Sequence, residues 1–307
     1  MTVGIVTDST AALPTEVQKR WDIAVVPLSL TVDGRTVQEG ELATSEILAA
    51  KTYSSASPSP GAFAQAIAAQ DQGQGVIVLT VAATLSSTYQ AASLAAQQAT
   101  CPTQIVDSRT AAGGLALVAI AAARASHAGA NLTDVAAAAT HVTQRIRLLG
   151  ALGNLDQLIR SGRVPELAGR TGNRLGVRPL FQIRHGAIAK MRPALSDHAA
   201  TQRLLALWRR TLPHNYAQTQ PAEPDASQSR SHTSPHVNSH TSPHVQQPQQ
   251  PQLYLVSLHA EAPQHAQALL DAVTVEVPPA ESFISGFGQA MMINSGIGVR
   301  GLAWYWD

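Results

Sequence analysis

Three polar stretches sit where α/β proteins build ligand sites, at the carboxyl ends of strands. The first follows an apolar run as Val81-Ala82-Ala83-Thr84-Leu85-Ser86-Ser87-Thr88-Tyr89-Gln90. It is a hydroxyl-rich turn opening a helix, where free backbone N–H groups and the helix dipole favour an anion. Ser86 there can donate to a carboxylate or a phosphate; equally, Ser86 or Ser87 can serve only as the helix N-cap. The second, Leu155 to Val164, ends a short helix with Gly162 and sets Arg163 just beyond it. A guanidinium at that place can fork onto a carboxylate, and it can also be a helix-dipole partner or a solvated charge. The third, Ser54 to Phe63, is a prolyl loop feeding a helix, and its hydroxyls are ordinary helix-entry residues. Asp8-Ser9 and Asp107-Ser108 close two further strands. Either aspartate could act as a base or phosphate acceptor. Both are also ordinary Asx-turns, and no second catalytic partner is visible beside them.

Several familiar chemistries are missing. No G-x-x-x-x-G-K-[ST] occurs, and Lys19, Lys51 and Lys190 are the only lysines, which leaves no P-loop. Neither H-E-x-x-H nor G-x-S-x-G is present. A literal G-x-G-x-x-G stands at Gly296-Ile297-Gly298-Val299-Arg300-Gly301, but with no room after it for the βαβ unit that uses such a fingerprint. Its glycines still require sharp turns or close backbone approach. A net charge of +1 gives no overall field for a nucleic-acid backbone, so nucleic acid is not an expected partner. The single Cys101 excludes a disulfide framework and a multi-cysteine metal site. The longest uncharged apolar-rich stretch, 110–123, is too short to span a bilayer, where roughly 20 residues are needed. The first residues read as a strand and not as a signal peptide, so the cytoplasm is the expected location.

The elements that must position these groups form an alternating series, which predicts an α/β fold with largely parallel sheets. Strands are expected at 3–7, 23–28, 76–80, 104–107, 148–152, 180–184, 253–258, 273–277 and 302–306. Helices are expected at 44–53, 63–72, 88–99, 111–127, 132–146, 155–160, 199–210 and 263–272. Asp33-Gly34 and His185-Gly186 mark hairpin turns. A length of 307 residues suits two α/β domains, 1–150 and 151–307. Within the second, residues 214–252 are built from Gln, Ser, Pro, His and Thr and are expected to be disordered. There Ser231-His232-Thr233-Ser234-Pro235-His236-Val237 recurs as Ser239-His240-Thr241-Ser242-Pro243-His244-Val245. Clustered imidazoles can tether a transition metal. A polar loop expanded by repeat slippage is the preferred reading, and no metal site is assigned.

In this order the stretches resemble the DegV family of bacterial lipid-binding proteins, which includes the fatty-acid-binding subunit of fatty acid kinase. Val3 to Thr10 is similar to the family's opening strand and Asp-Ser turn, and Val25 to Leu28 to its second strand. Ser55 to Pro60 stands where the family has Thr-Ser-Gln-Pro-Ser, and Leu85 to Gln90 resembles Leu-Ser-Gly-Thr-Tyr-Gln. Val106-Asp107-Ser108 with Gly113-Gly114, and then Leu155 to Val164, complete the resemblance. It implies a two-domain protein that encloses one long-chain fatty acid, with no other cofactor. The carboxylate would be held by Ser55, Ser86 and Arg163, with Asn294 where the family carries a histidine. Asn donates a hydrogen bond but cannot become a cation. The implied function is non-catalytic: the chain buries an acyl tail and presents its carboxylate to a separate ATP-dependent fatty acid kinase subunit in phospholipid synthesis. Transient contact with a membrane surface would allow lipid exchange. The alternatives are a small enzyme acting on a phosphorylated or acyl substrate through Asp8 or Asp107, and a lipid-binding member without a kinase partner. His259 matches a strand-end histidine of the family and is read as structural.

Overall fold

A computed structural model describes residues 1–153, 159, 177–213, 216 and 250–307. The chain opens with β1 (Gly4–Asp8), α1 (Thr15–Trp21), β2 (Ile23–Val26), β3 (Ser29–Val32), β4 (Arg35–Gln38), α2 (Thr44–Ala49), β5 (Tyr53–Ala56), α3 (Pro60–Gln70) and β6 (Val76–Thr80). Next come α4 (Thr88–Gln97), β7 (Thr103–Asp107), α5 (Gly113–His127), α6 (Leu132–Arg145) and β8 (Arg147–Ala151). The remainder supplies β9 (Arg178–Arg184), β10 (Ala187–Ala194), α7 (Asp197–Arg209), β11 (Leu253–His259), α8 (Pro263–Glu276), β12 (Glu281–Gly286), α9 (Gln289–Ser295) and β13 (Arg300–Trp306).

These elements make an α/β fold with three sheets, ordered β2-β1-β6-β7, β10-β9-β8-β13-β11-β12 and β4-β3-β5. The first sheet is parallel throughout. Its central strands β1 and β6 are buried at every position, which explains their unbroken apolar runs. The second sheet departs from the parallel expectation: among its described strands only β11 and β12 run parallel, and the other four pairings are antiparallel. Two-residue turns join the hairpins β3–β4 of the third sheet and β9–β10 of the second. At Asp33-Gly34 both residues have positive φ, 46° and 81°, and at His185-Gly186 the values are 50° and 84°. Such a pair matches the tight turn that continues strand twist. Strand β8, ending at Ala151, pairs within the second sheet.

Helix α5 explains the long uncharged stretch of the sequence. It packs on β1 and β6 on one side and on β11 and β13 on the other, with Leu115 to Ala123 all buried. A helix apolar all round needs burial all round, and two sheets supply it. A Cβ on Gly113 would lie 2.6 Å from Val256, so the helix entrance fits the second sheet only without a side chain. At its exit, the Arg124 guanidinium lies 4.0 Å over the Tyr254 ring. No helix among the described residues is long and apolar enough to cross a membrane.

Two expected elements change type. The strand expected at 273–277 is the last turn of α8 and its exit: Val273 is buried with Ala266 and Leu269 at helical spacing, while Val275 is 86% exposed. Pro278-Pro279 then stops the helix, and the real strand is β12. The helix expected at 44–53 ends at Ala49, and Tyr53 begins β5, paired antiparallel to β3. The prolyl loop thus starts as a strand, which places Ser55 on a sheet. The helix expected at 155–160 and nearly all of the segment 214–252 lie outside the described residues.

Candidate functional site

A cavity of about 130 Å³ lies at the carboxyl ends of β1, β2 and β6, the place where parallel α/β sheets bind ligands. It is closed from the opposite side by Phe181 and Ile183 of β9, Ile188 of β10, and Met291 of α9. Its wall is mostly hydrocarbon, and its polar groups are few: Thr10, Ser55, Ser57, Ser86, Asn294 and Ser295. Ser55, Ser86 and Asn294, expected from distant parts of the chain, therefore line one cavity. Arg163 lies outside the described residues.

The bonding of these groups defines what each can offer. Asn294 donates from Nδ2 to Ser55 Oγ at 2.8 Å and to the Ala290 carbonyl at 2.7 Å. An amide nitrogen has two hydrogens, so both are committed. Ser55 Oγ accepts from Asn294, which leaves its own hydrogen to aim at an anion. Ser86 Oγ accepts from the Thr88 backbone N–H at 3.3 Å and lies 2.8 Å from Thr88 Oγ1. The N-cap of α4 is Ser87, without a side-chain cap bond; Ser86 stands one residue before it, where its hydroxyl meets the first helical N–H and lines the cavity. Ser57 Oγ and Ser87 Oγ, 2.9 Å apart, join the two hydroxyl-bearing segments.

Thr10 reaches the cavity because Asp8 holds it. The Asp8 carboxylate accepts from the Thr10 N–H at 3.0 Å, from the Thr10 hydroxyl, and from the Val81 N–H at 2.9 Å. Asp8 therefore ties the end of β1 to the turn after β6. Burial pushes its carboxyl above the ordinary range, with the three donors opposing and the nearby Glu39 charge adding. Asp107 accepts from the N–H groups of Arg109 (2.9 Å) and Ala83 (3.3 Å), an Asx-type closure. Both aspartates thus hold turns beside the cavity.

The outer wall is α9, and a network absent from any local sequence pattern fixes it to the first half of the chain. Ser9 donates to Glu39, and Glu39 accepts from the Ala290 N–H at 2.9 Å. Gln289 donates to the Leu42 carbonyl at 2.7 Å and accepts from Gly40 N–H at 2.9 Å. A Cβ on Gly288 would fall 2.3 Å from Glu39 Oε1, so this glycine is what lets the carboxylate reach the helix. The neighbouring glycine fingerprint is also resolved. Gly296 and Gly298 have φ of 82° and 79°, and the Gly298 N–H bonds to the Ala260 carbonyl at 2.7 Å. They return the chain from α9 into β13. His259 Nδ1 accepts from the Ala262 N–H at 3.4 Å, and burial lowers its pKa.

Residues 2–222 match a family model described as uncharacterised protein, DegV family. The chain belongs to the DegV family. A DegV domain-containing protein of Mycobacterium tuberculosis is 34% identical over 191 residues, 61% of this chain and 68% of that protein. Among solved structures, a DegV lipid binding protein from Thermotoga maritima shares the fold with a TM-score of 0.79 at 22% identity, covering 100% of this chain and 99% of that one. A DegV family protein from Thermus thermophilus, described by its fatty acid binding, also gives 0.79 at 22% identity, with 99% of each chain covered. A DegV family protein from Eubacterium eligens, loaded with heptadecanoic acid, gives 0.77 at 16% identity, again with 99% of each covered.

Proposed function

We propose that this DegV protein is a non-catalytic fatty-acid carrier of the cytoplasm, which buries an acyl tail and presents the carboxylate to a separate ATP-dependent kinase. The observation that carries this reading is the meeting of Ser55, Ser86 and Asn294 at one mostly apolar cavity. The fatty acids of the Thermus and Eubacterium relatives support it. In this reading Ser55 and Ser86 donate to the carboxylate, Asn294 orients Ser55, and Arg163 supplies the opposing charge. The alkyl tail runs between the first sheet and β9, past Phe181 and Met291. A volume of about 130 Å³ is small beside the roughly 300–1,000 Å³ of typical ligand pockets, so entry of a long chain must widen the cavity. Met291, with its flexible thioether, is the wall residue best suited to yield. Transient docking on a membrane surface would let the acid enter and leave.

A second reading, a lipid binder that engages no kinase, is favoured by Asn294, whose neutral amide stabilises the charge that builds during phosphoryl transfer less than an imidazolium would. Native mass spectrometry of the purified protein, with extraction and identification of retained lipid, tests the carrier. A bound acyl chain is expected, and Arg163→Ala should weaken its retention without unfolding the protein. An empty protein that does not bind added long-chain acids would overturn the assignment. Addition of a fatty acid kinase and ATP then separates the two readings by acyl-phosphate formation.

A further inference from the structure

A second concavity, of about 570 Å³, lies on the second sheet at the open ends of β8, β9 and β13, beside the end of α7. Its size falls within the range of small-ligand sites. Five arginines line it, Arg109, Arg145, Arg147, Arg184 and Arg210, and no Asp or Glu is among its described lining residues. In a chain of net charge +1 this is a local concentration of positive charge. All five side chains belong to exposed residues, and only Arg145 has an ion pair among the described residues, with Asp307 at 3.7 Å.

The strand register sharpens the point. Leu148 lies opposite Ile183 and Leu149 opposite Gln182, so the same antiparallel pairing sets Arg147 opposite Arg184 at the strand ends. Like charges at directly opposed positions destabilise a sheet unless something lies between them. Two guanidiniums on adjacent strands, with a third on the neighbouring helix end, form a bed of forked donors that matches phosphoryl oxygens. The rim is held in place: the Gly186 N–H bonds to the Arg109 carbonyl at 2.8 Å, docking the β9–β10 hairpin on the turn after β7. Trp304 forms part of the lining, its indole N–H bonded to Thr211 Oγ1 at 3.0 Å. This cleft shares Ile183 with the acyl cavity but has its own chemistry.

We propose that the arginine cleft is a second binding site, for a small polyanion carrying two or more phosphate groups. Its concave shape favours a compact ligand over a flat surface. Tripolyphosphate is the probe, and tryptophan fluorescence is the readout because Trp304 and Trp306 line the cleft. Saturable binding is expected, weakened by added salt. The R147A/R184A double variant should bind at least about tenfold more weakly, and R147K/R184K should fall between, since ammonium groups keep the charge but not the fork. Arg35→Ala, an exposed substitution outside the cleft, should leave binding unchanged. Thermal midpoints of all variants show that they are folded. Unsaturable tripolyphosphate binding, or equal losses from R35A and R147A/R184A, would overturn the site. Co-sedimentation with phosphatidylcholine vesicles, with and without phosphatidylglycerol, distinguishes a lipid headgroup as source. Binding to anionic vesicles lost in R147A/R184A, with no response to tripolyphosphate, would reject a small-ligand site and make the face a membrane contact.

Discussion

The geometry around Ser55 makes a prediction about how two residues share one task. If Ser55 donates to a fatty-acid carboxylate and Asn294 only aims its hydroxyl, their substitutions will not add. Ser55→Ala removes a hydrogen bond to a charged group, worth about 1.5–3 kcal/mol, so affinity should fall roughly 10- to 150-fold. Asn294→Ala removes the 2.8 Å bond that orients Ser55. That loss is a neutral bond of about 1 kcal/mol, or roughly fivefold. In the double variant nothing is left to orient, so its affinity should match Ser55→Ala alone and the coupling should be about 1 kcal/mol. Calorimetric titration with one long-chain acid, at a pH well above its carboxyl pKa, measures all four corners of the cycle. Additive losses, within about 0.3 kcal/mol, would refute the reasoning and mean that Asn294 touches the ligand directly.

Three further outcomes are expected. Lengthening the acid by one CH₂ should tighten binding about fourfold, from roughly 0.8 kcal/mol per buried methylene, until the widened cavity is full; a flat calorimetric series would contradict tail burial. Asp8→Asn sets an amide N–H₂ against donors that now meet carboxylate oxygens, and should cost about 2 kcal/mol in denaturant unfolding; an unchanged midpoint would remove Asp8 as the tie between β1 and the Val81 turn. Asp197 accepts two bonds from Arg178, at 2.7 and 3.1 Å, and pairs with Arg300, which is 2% exposed. Those guanidiniums, Arg178 first, hold its carboxyl far below the usual range. A folded pKa below the unfolded one means that this contribution is complete above about pH 4 and fades as the pH drops further. Asp197 is itself 43% exposed, so Asp197→Asn should cost about 2 kcal/mol, less than a fully buried pair, and should flatten the acid limb of a stability-versus-pH curve. A parallel acid limb in the variant would rule out the pair as its cause.

The parts of the fold that the sequence announced are those whose environment is set locally. The buried runs of β1, β6 and β11 read as strands because both faces are covered, and Asp33-Gly34 and His185-Gly186 read as turns because both residues of each pair occupy positive φ. The failures have a common origin in context. Val273, Val275 and Val277 alternate like a strand, yet tertiary burial of Ala266, Leu269 and Val273 keeps the segment helical. β12 and β5 are short and polar, and they exist because β11 and β3 offer them edges. Of the site, Ser55, Ser86 and Asn294 were legible only through their order along the chain, since each is unremarkable in its own neighbourhood. Glu39 and Gln289 were illegible, because their partners lie about 250 residues away and long-range bonds leave no periodicity behind.

The wall supplied by α9 bears on how the protein comes into being. The strands of the parallel sheet are all encoded by the end of β7, yet Met291 and Asn294 come far later in the chain. A nascent chain can therefore form its first layer while one wall of the cavity is still to be made. A complete cavity belongs only to a chain that has extended through α9.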